Sequence, residues 1–504
     1  MFPRIILTII MLSFNIVSYA QSNSETATAN YLTHIQNDPA KVLLFLQNMP
    51  KGADLHNHLG GDNMAENIIQ YGYADHLCVD RADYIVSTNP NCSPDNLLNH
   101  ALDDPAFYNA IINAWSLRDF HATNTESAHD HFFATFTKFG TIISQHNAEA
   151  IAETRNRAGQ QNESYIELIV VPDLNASGVL GKKIGWNSDL TILRNQLLAG
   201  GLNEIVTNMQ KNTTVTEAKE KTILACHAKQ AKPGCNVKVY YLYTALRNQE
   251  PAAVFAQLLA GFEIANKDSR YVGINIAQPE DALIAMRDYH LHMQMIGFLH
   301  RLYPNVHITL HAGELNSSIV PPEGLRFHIR DAIETGHAER VGHGVDVFYE
   351  NHAEQLLQEM AKKQILVETN LTSNQQILLI KGNKHPLPLY LSYHVPVALS
   401  TDDEGVLRTT LTLEYKKAEF RYHLSYPTLK QLVRNSLYYS FIPGKNLWQD
   451  NAYIQMNHAC AQDNPENTII SAACTQFLHE NEKANMQWDL EQRFNTFEKQ
   501  YTHI

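Results

Sequence analysis

Apolar positions along the chain follow two periods. Short runs rich in β-branched and aromatic residues recur between turn residues, at 52–58 (GADLHNH), 164–172 (SYIELIVVP), 236–246 (NVKVYYLYTAL), 271–277 (YVGINIA), 306–314 (VHITLHAGE), 339–344 (ERVGHG), 365–369 (ILVET) and 395–403 (VPVALSTDD). These predict strands. Several are apolar throughout rather than alternating, the pattern of parallel strands covered on both faces. Most are followed by helical periodicity. Residues 130–159 carry Phe132, Phe133, Phe136, Phe139 and Ile143 near helical spacing, which reads as a helix core face. Residues 280–304 form another such stretch, stopped by Pro304, and residues 24–48 predict a single helix.

Eight strand–helix units predict an α/β fold, a (β/α)8 TIM barrel with its active site at the carboxyl ends of the strands. The 504 residues exceed the roughly 250 typical of that fold. The excess falls in a helical N-terminal extension (21–49), in insertions at about 62–125 and 205–235 within the barrel domain (50–504), and in a helical region after about 410.

The first residues read MFPRIILTIIMLSFNIVSYAQ: Arg4, an apolar run to about Val17, then small residues at Ser18 and Ala20. This predicts a signal peptide over 1–20 and an exported chain, periplasmic or extracellular, free of the membrane after cleavage. Export gives the six cysteines a meaning. They form three close pairs, predicting disulfides Cys78–Cys92, Cys226–Cys235 and Cys460–Cys474. The net charge of −13 argues against nucleic acid as a partner.

Candidate chemistry gathers at the strand ends. His56 and His58 are two positions apart in the first strand, so both rings face the same side. The fifth strand ends in His311 and Glu314, the sixth in His343 between glycines, and the eighth in Asp402 and Asp403. Three histidines and one carboxylate from strands one, five and eight suit Zn²⁺, with a position open for water. His290, His292, His300, His328 and His337 read as surface or core residues.

PKGADLHNHLGG, HAGE, ERVGHG and LSTDDEG, in that order, resemble the motifs of the adenosine/AMP deaminase family of metal-dependent hydrolases. The leader, N-terminal extension and cysteine-bearing insertions resemble its secreted branch, the adenosine deaminase-related growth factors. The resemblance implies that His56, His58, His311 and Asp402 hold zinc, that Glu314 faces N1 of a purine, that His343 stands beside the water the metal activates, and that Asp403 meets the N7 edge. It also implies a homodimer through the N-terminal helices. Two departures concern the sugar side. Gly60 stands where family members carry an aspartate, and Gln278 replaces a glycine whose backbone meets the purine. Glu167 is a candidate for a ribose hydroxyl; the alternative is an inward carboxylate paired with a base such as Arg247. The expected activity is deamination of adenosine or 2′-deoxyadenosine, a small-molecule purine nucleoside substrate. The alternatives are AMP, adenine or another aminopurine, or a growth-factor-like binding protein. Lys182 and Lys183 are the nearest basic pair, and they read as a solvated loop.

Overall fold

The computed structural model describes residues 23–88, 92–467 and 469–502. The expected signal peptide lies outside them. Eight parallel strands, β1 (Gly52–His58), β2 (Glu163–Val170), β3 (Lys238–Leu246), β4 (Tyr271–Ala277), β5 (His307–Ala312), β6 (Arg340–His343), β7 (Leu366–Thr369) and β8 (Val397–Leu399), pair in chain order. The eighth meets the first where Asn57 lies opposite Asp402. There His58 N donates to Asp402 O at 2.8 Å and Asp402 N donates to His56 O at 2.9 Å. The barrel seam is thus drawn together by the backbone of three candidate site residues. The chain beyond β8 was expected to stay extended to Asp403. Regular strand ends at Leu399, and Asp402, although it still bridges Asn57, takes a left-handed φ of +67°.

The helices carry the barrel's outer layer and its extensions: α1 (Asn23–Ile35), α2 (Pro39–Asn48), α3 (Ala128–Gln145), α4 (Asn147–Gln160), α5 (Asn203–Ile223), α6 (Pro251–Lys267), α7 (Leu283–Leu302), α8 (Tyr426–Tyr438) and α9 (Glu482–Lys499). The single helix expected over 24–48 is two. Asp38 caps the second, its carboxylate accepting from Ala40 N and Lys41 N at 3.1 and 3.2 Å, and Pro39 has no N–H to continue the first. The N-terminal helices bury Leu32, Ile35, Phe45 and Leu46. Phe45 packs edge-on against Tyr426 of α8 and Phe497 of α9, at 5.9 and 5.1 Å. The long apolar stretch after residue 128 likewise breaks, at His146, into α3 and α4.

All three expected disulfides form. Each closes a short loop and contributes about 2–3 kcal/mol in the loop-entropy account. Among the described residues no helix is long and apolar enough to cross a membrane.

Glu167 is not on the wall of the candidate site's cavity. Its side chain is fully buried inside the barrel, pairs with Arg340, and accepts from Tyr165 Oη at 3.1 Å and Phe441 N at 2.6 Å. Of the two expectations for it, the inward ion pair is correct in kind, but its partner is Arg340. Arg247 instead donates to the carbonyls of Ile276 and His311. A buried carboxylate is retained only where charge and hydrogen bonds replace water. Glu167 has both, which leaves it no free oxygen for a ribose.

Candidate active site

The strand ends bring His56, His58, His311 and Asp402 together, although 255 positions separate His56 from His311. His56 Nε2 and His58 Nε2 each lie 3.0 Å from His311 Nε2. Asp402 Oδ1 lies 3.5 Å from the first and 3.4 Å from the second. The outer ring nitrogens are tied down. His56 Nδ1 meets Glu368 Oε2 at 2.7 Å, and His311 Nδ1 meets Asn275 Oδ1 at 2.8 Å. Neither oxygen can donate, so both rings carry a proton on Nδ1 and turn Nε2 toward the shared point. Nitrogens only 3.0 Å apart need a positive charge between them, either the second proton of His56 or a metal ion that takes its place. The donor set, imidazole nitrogens and one carboxylate oxygen, fits a divalent ion such as zinc. A nitrogen of His343 also lies within 4.8 Å of donor atoms of His56, His311 and Asp402.

The electrostatics agree with a cation site. Burial pushes His58 down to about 4 and His311 well below the usual imidazole value, so both are neutral. Burial alone would do the same to His56, but the carboxylates of Asp402 and Glu368 outweigh it and draw its pKa up to about 10. The point between them attracts positive charge. Burial would raise Asp402, yet His56, His343 and His58 around it hold it well below the ordinary range.

Two further carboxyls face the same space in the opposite state. Burial, then the charges of Asp402 and Glu280, push Glu314 well up; burial and Asp402 do the same to Asp403. Glu314 Oε1 stands 3.7 Å from His343 Nδ1. Burial takes His343 down to about 3, keeping it neutral. Glycines make room for these groups. A side chain at Gly342 would place its Cβ 2.6 Å from His56 Cε1, and one at Gly61 would place it 1.9 Å from Asp403 Oδ1. His343 and Asp402 hold left-handed backbone (φ +68° and +67°), and so does Gln278 at +86°. Gln278 therefore keeps the backbone shape a glycine would supply, while its Oε1 accepts from Asn248 N at 2.9 Å. Such strain persists where surrounding structure over-determines it.

A cavity of about 510 Å³ opens over these residues, within the range of small-molecule sites. Its wall includes His58, His311, Glu314, Asp402, Asp403 and Gln278. Phe132, Phe133 and Phe136 of α3 also line it, so three of the phenylalanines read as core face the site; Phe139 is core. Gly60 is on the wall, and a Cβ there would meet nothing within 4 Å. Among the described residues no lysine or arginine lines the cavity, and Lys182 and Lys183 lie outside it.

Sequence reasoning missed the supporting groups. Glu280 accepts from Gly313 N and Glu314 N at 3.0 and 2.9 Å and pairs with His328 at 2.5 Å, fixing the turn that carries Glu314. Glu368 and Asn275 orient the two histidines. An acid inside an otherwise apolar strand, as in ILVET, was the available signal for Glu368.

Imidazoles and carboxylates gathered at the carboxyl ends of eight parallel strands define the class: a (β/α)8-barrel hydrolase with a site that could hold a metal ion. The adenosine deaminase family model matches residues 116–449, and the chain belongs to that family. The matched segment starts after β1, so His56 and His58 stand outside it. Adenosine deaminase of Pectobacterium atrosepticum is 30% identical over 227 residues, 40% of this chain and 64% of that protein. That of Enterococcus faecalis is 32% identical over 139 residues, covering 27% of this chain and 38% of its own length. The chain thus spans less than two thirds of either relative. In fold it resembles the N6-methyl-AMP deaminase of Arabidopsis thaliana (TM-score 0.51, 18% identity, 79% of this chain and 94% of that one).

Proposed function

We propose that the protein is an exported, zinc-dependent adenosine deaminase of the growth-factor-like branch, converting adenosine or 2′-deoxyadenosine and water to the inosine product and ammonia. The observation that carries this is the convergence of His56, His58, His311 and Asp402 on one point, with Glu314 and Asp403, whose carboxyls burial and Asp402 push toward the protonated state, beside it on the cavity wall. Zinc, when bound, supplies the Lewis acidity that makes water nucleophilic near neutral pH. Glu314 delivers its proton to N1 as C6 becomes tetrahedral, relieving the charge that builds on the ring. Asp403, also protonated, donates to N7, which only accepts. The ionised Asp402 and neutral Asp403 divide the roles across the left-handed turn at Asp402. The apolar leader and three disulfides support export.

The wall favours a nucleoside over AMP. A phosphate needs arginine or lysine partners, and the described wall offers carboxyls and aromatics instead. The test is a spectrophotometric screen of adenosine, deoxyadenosine, AMP and adenine with and without a chelator. Adenosine should lose its adenine absorbance and chelated protein should not act on it. AMP reacting while adenosine is inert would overturn the substrate, and activity indifferent to metal would overturn the mechanism.

A further inference from the structure

Behind His343 stand two buried residues, His385 and Asn374, that are neither candidate metal ligands nor part of the cavity wall. Their hydrogen bonds form a chain with one possible polarity. It starts at the backbone: Leu387 N donates to His385 Nδ1 at 3.1 Å. An amide N–H cannot accept, so His385 Nδ1 carries a lone pair and the ring's proton sits on Nε2. That nitrogen donates to Asn374 Oδ1 at 2.9 Å. The amide is thereby oriented, and its Nδ2 faces His343 Nδ1 at 3.0 Å as a donor. Asn370 Nδ2 approaches the same nitrogen from 3.5 Å, again with hydrogens to give. His343 Nδ1 therefore accepts. Its Nε2, buried and without a protein partner, bears the proton.

We propose that His385 and Asn374 are positioning residues that lock His343 in its Nε2–H tautomer, so that it offers the reaction centre a hydrogen-bond donor rather than a lone pair. Two consequences follow. A protonated Nε2 cannot ligate, and Nδ1 is taken, so His343 is no metal ligand despite its proximity, and the imidazole ligands are His56, His58 and His311. The resting His343 also cannot take the proton of the attacking water; it stabilises negative charge developing on that oxygen, as a preorganised donor does. Burial, which drives His385 down to about 3, keeps that ring neutral at the head of the chain. The catalytic half of this inference rests on the deaminase reading; the tautomer does not.

The experiment is ¹⁵N NMR of histidine-labelled zinc-loaded protein, with His343 assigned from the spectrum of His343→Gln. The expected signature is a protonated Nε2 and an unprotonated Nδ1. Asn374→Asp reverses the polarity by replacing the donor with an acceptor of the same shape. It should move the proton to Nδ1 and lower kcat by about 100-fold, with KM within about threefold. A wild-type His343 protonated at Nδ1, or an Asn374→Asp tautomer unchanged from wild type, overturns the proposal. The wild-type spectrum decides alone if the variant does not fold. An Nε2–H signal in protein that deaminates no aminopurine would sink the proposed function and leave the tautomer lock standing.

Discussion

His56 Nδ1 donates to Glu368 Oε2 at 2.7 Å, tying the first strand to the seventh beneath the candidate metal site. The other Glu368 oxygen accepts from Thr309 Oγ1 and Arg340 Nε, each at 2.7 Å. Burial would raise this carboxyl, but Arg340 and His56 outweigh burial and keep it ionised. It holds the proton on His56 Nδ1 and so turns Nε2 toward the candidate metal site. Glu368→Gln keeps the shape and removes the charge. It should weaken zinc binding about 10- to 100-fold, read by competition with a chromophoric chelator. A variant that melts earlier yet binds zinc as tightly would reduce Glu368 to a partner of Arg340.

Glu314 is the proton donor in the proposed reaction, and Glu314→Gln retains its volume and hydrogen bonding without the acid. Loss of general acid catalysis should cost kcat/KM about 10²- to 10⁴-fold. Zinc content by elemental analysis should stay at the wild-type value, because Glu314 is not among the ligands. Zinc lost along with activity would place Glu314 in the metal shell instead.

Gly61 backs Asp403 so closely that a methyl group there would overlap its carboxyl. Gly61→Ala should push Asp403 off the N7 edge and raise KM for adenosine by about tenfold or more, a cost in the range of overpacking penalties. The neighbouring Gly60→Ala adds its carbon to open space and should cost less. Equal KM values for the two variants would detach Asp403 from substrate binding.

The barrel was legible because parallel strands buried on both faces leave apolar runs that no other context explains, and seven of the eight strands lie within two residues of their expected positions. The ligand set was legible because barrel topology assigns strand ends to one mouth. What escaped had no local signature. Glu167 and Arg340 are 173 positions apart, and their pairing depends on which strand faces which across the barrel. Phe132, Phe133 and Phe136 share a helix with Phe139, and helical spacing cannot distinguish a cavity wall from a core. The break at Asp38-Pro39 was written in the sequence as a cap followed by a proline at the first helical position.

The helix that carries the aromatic wall is held at its first turn by His129, whose Nε2 donates to Asp281 Oδ1 at 3.1 Å, beside the loop of Gln278 and Glu280. Its Nδ1 faces Asp130 at the same distance, and Glu314 is the next acid in range. Burial alone would lower the imidazole, but Asp281 and Asp130 outweigh it and raise the pKa from 6.5 to about 9. A pKa higher in the folded state than in the unfolded one means that the native protein binds the proton more tightly. The contribution is complete below pH about 6.5 and is lost as pH rises through about 9. Wild-type protein should therefore melt at a higher temperature than His129→Gln at pH about 6, with the gap closing by pH about 9.5. A gap constant across that range would mean that α3 is held to the β4 loop by packing alone, with no charge between His129 and Asp281.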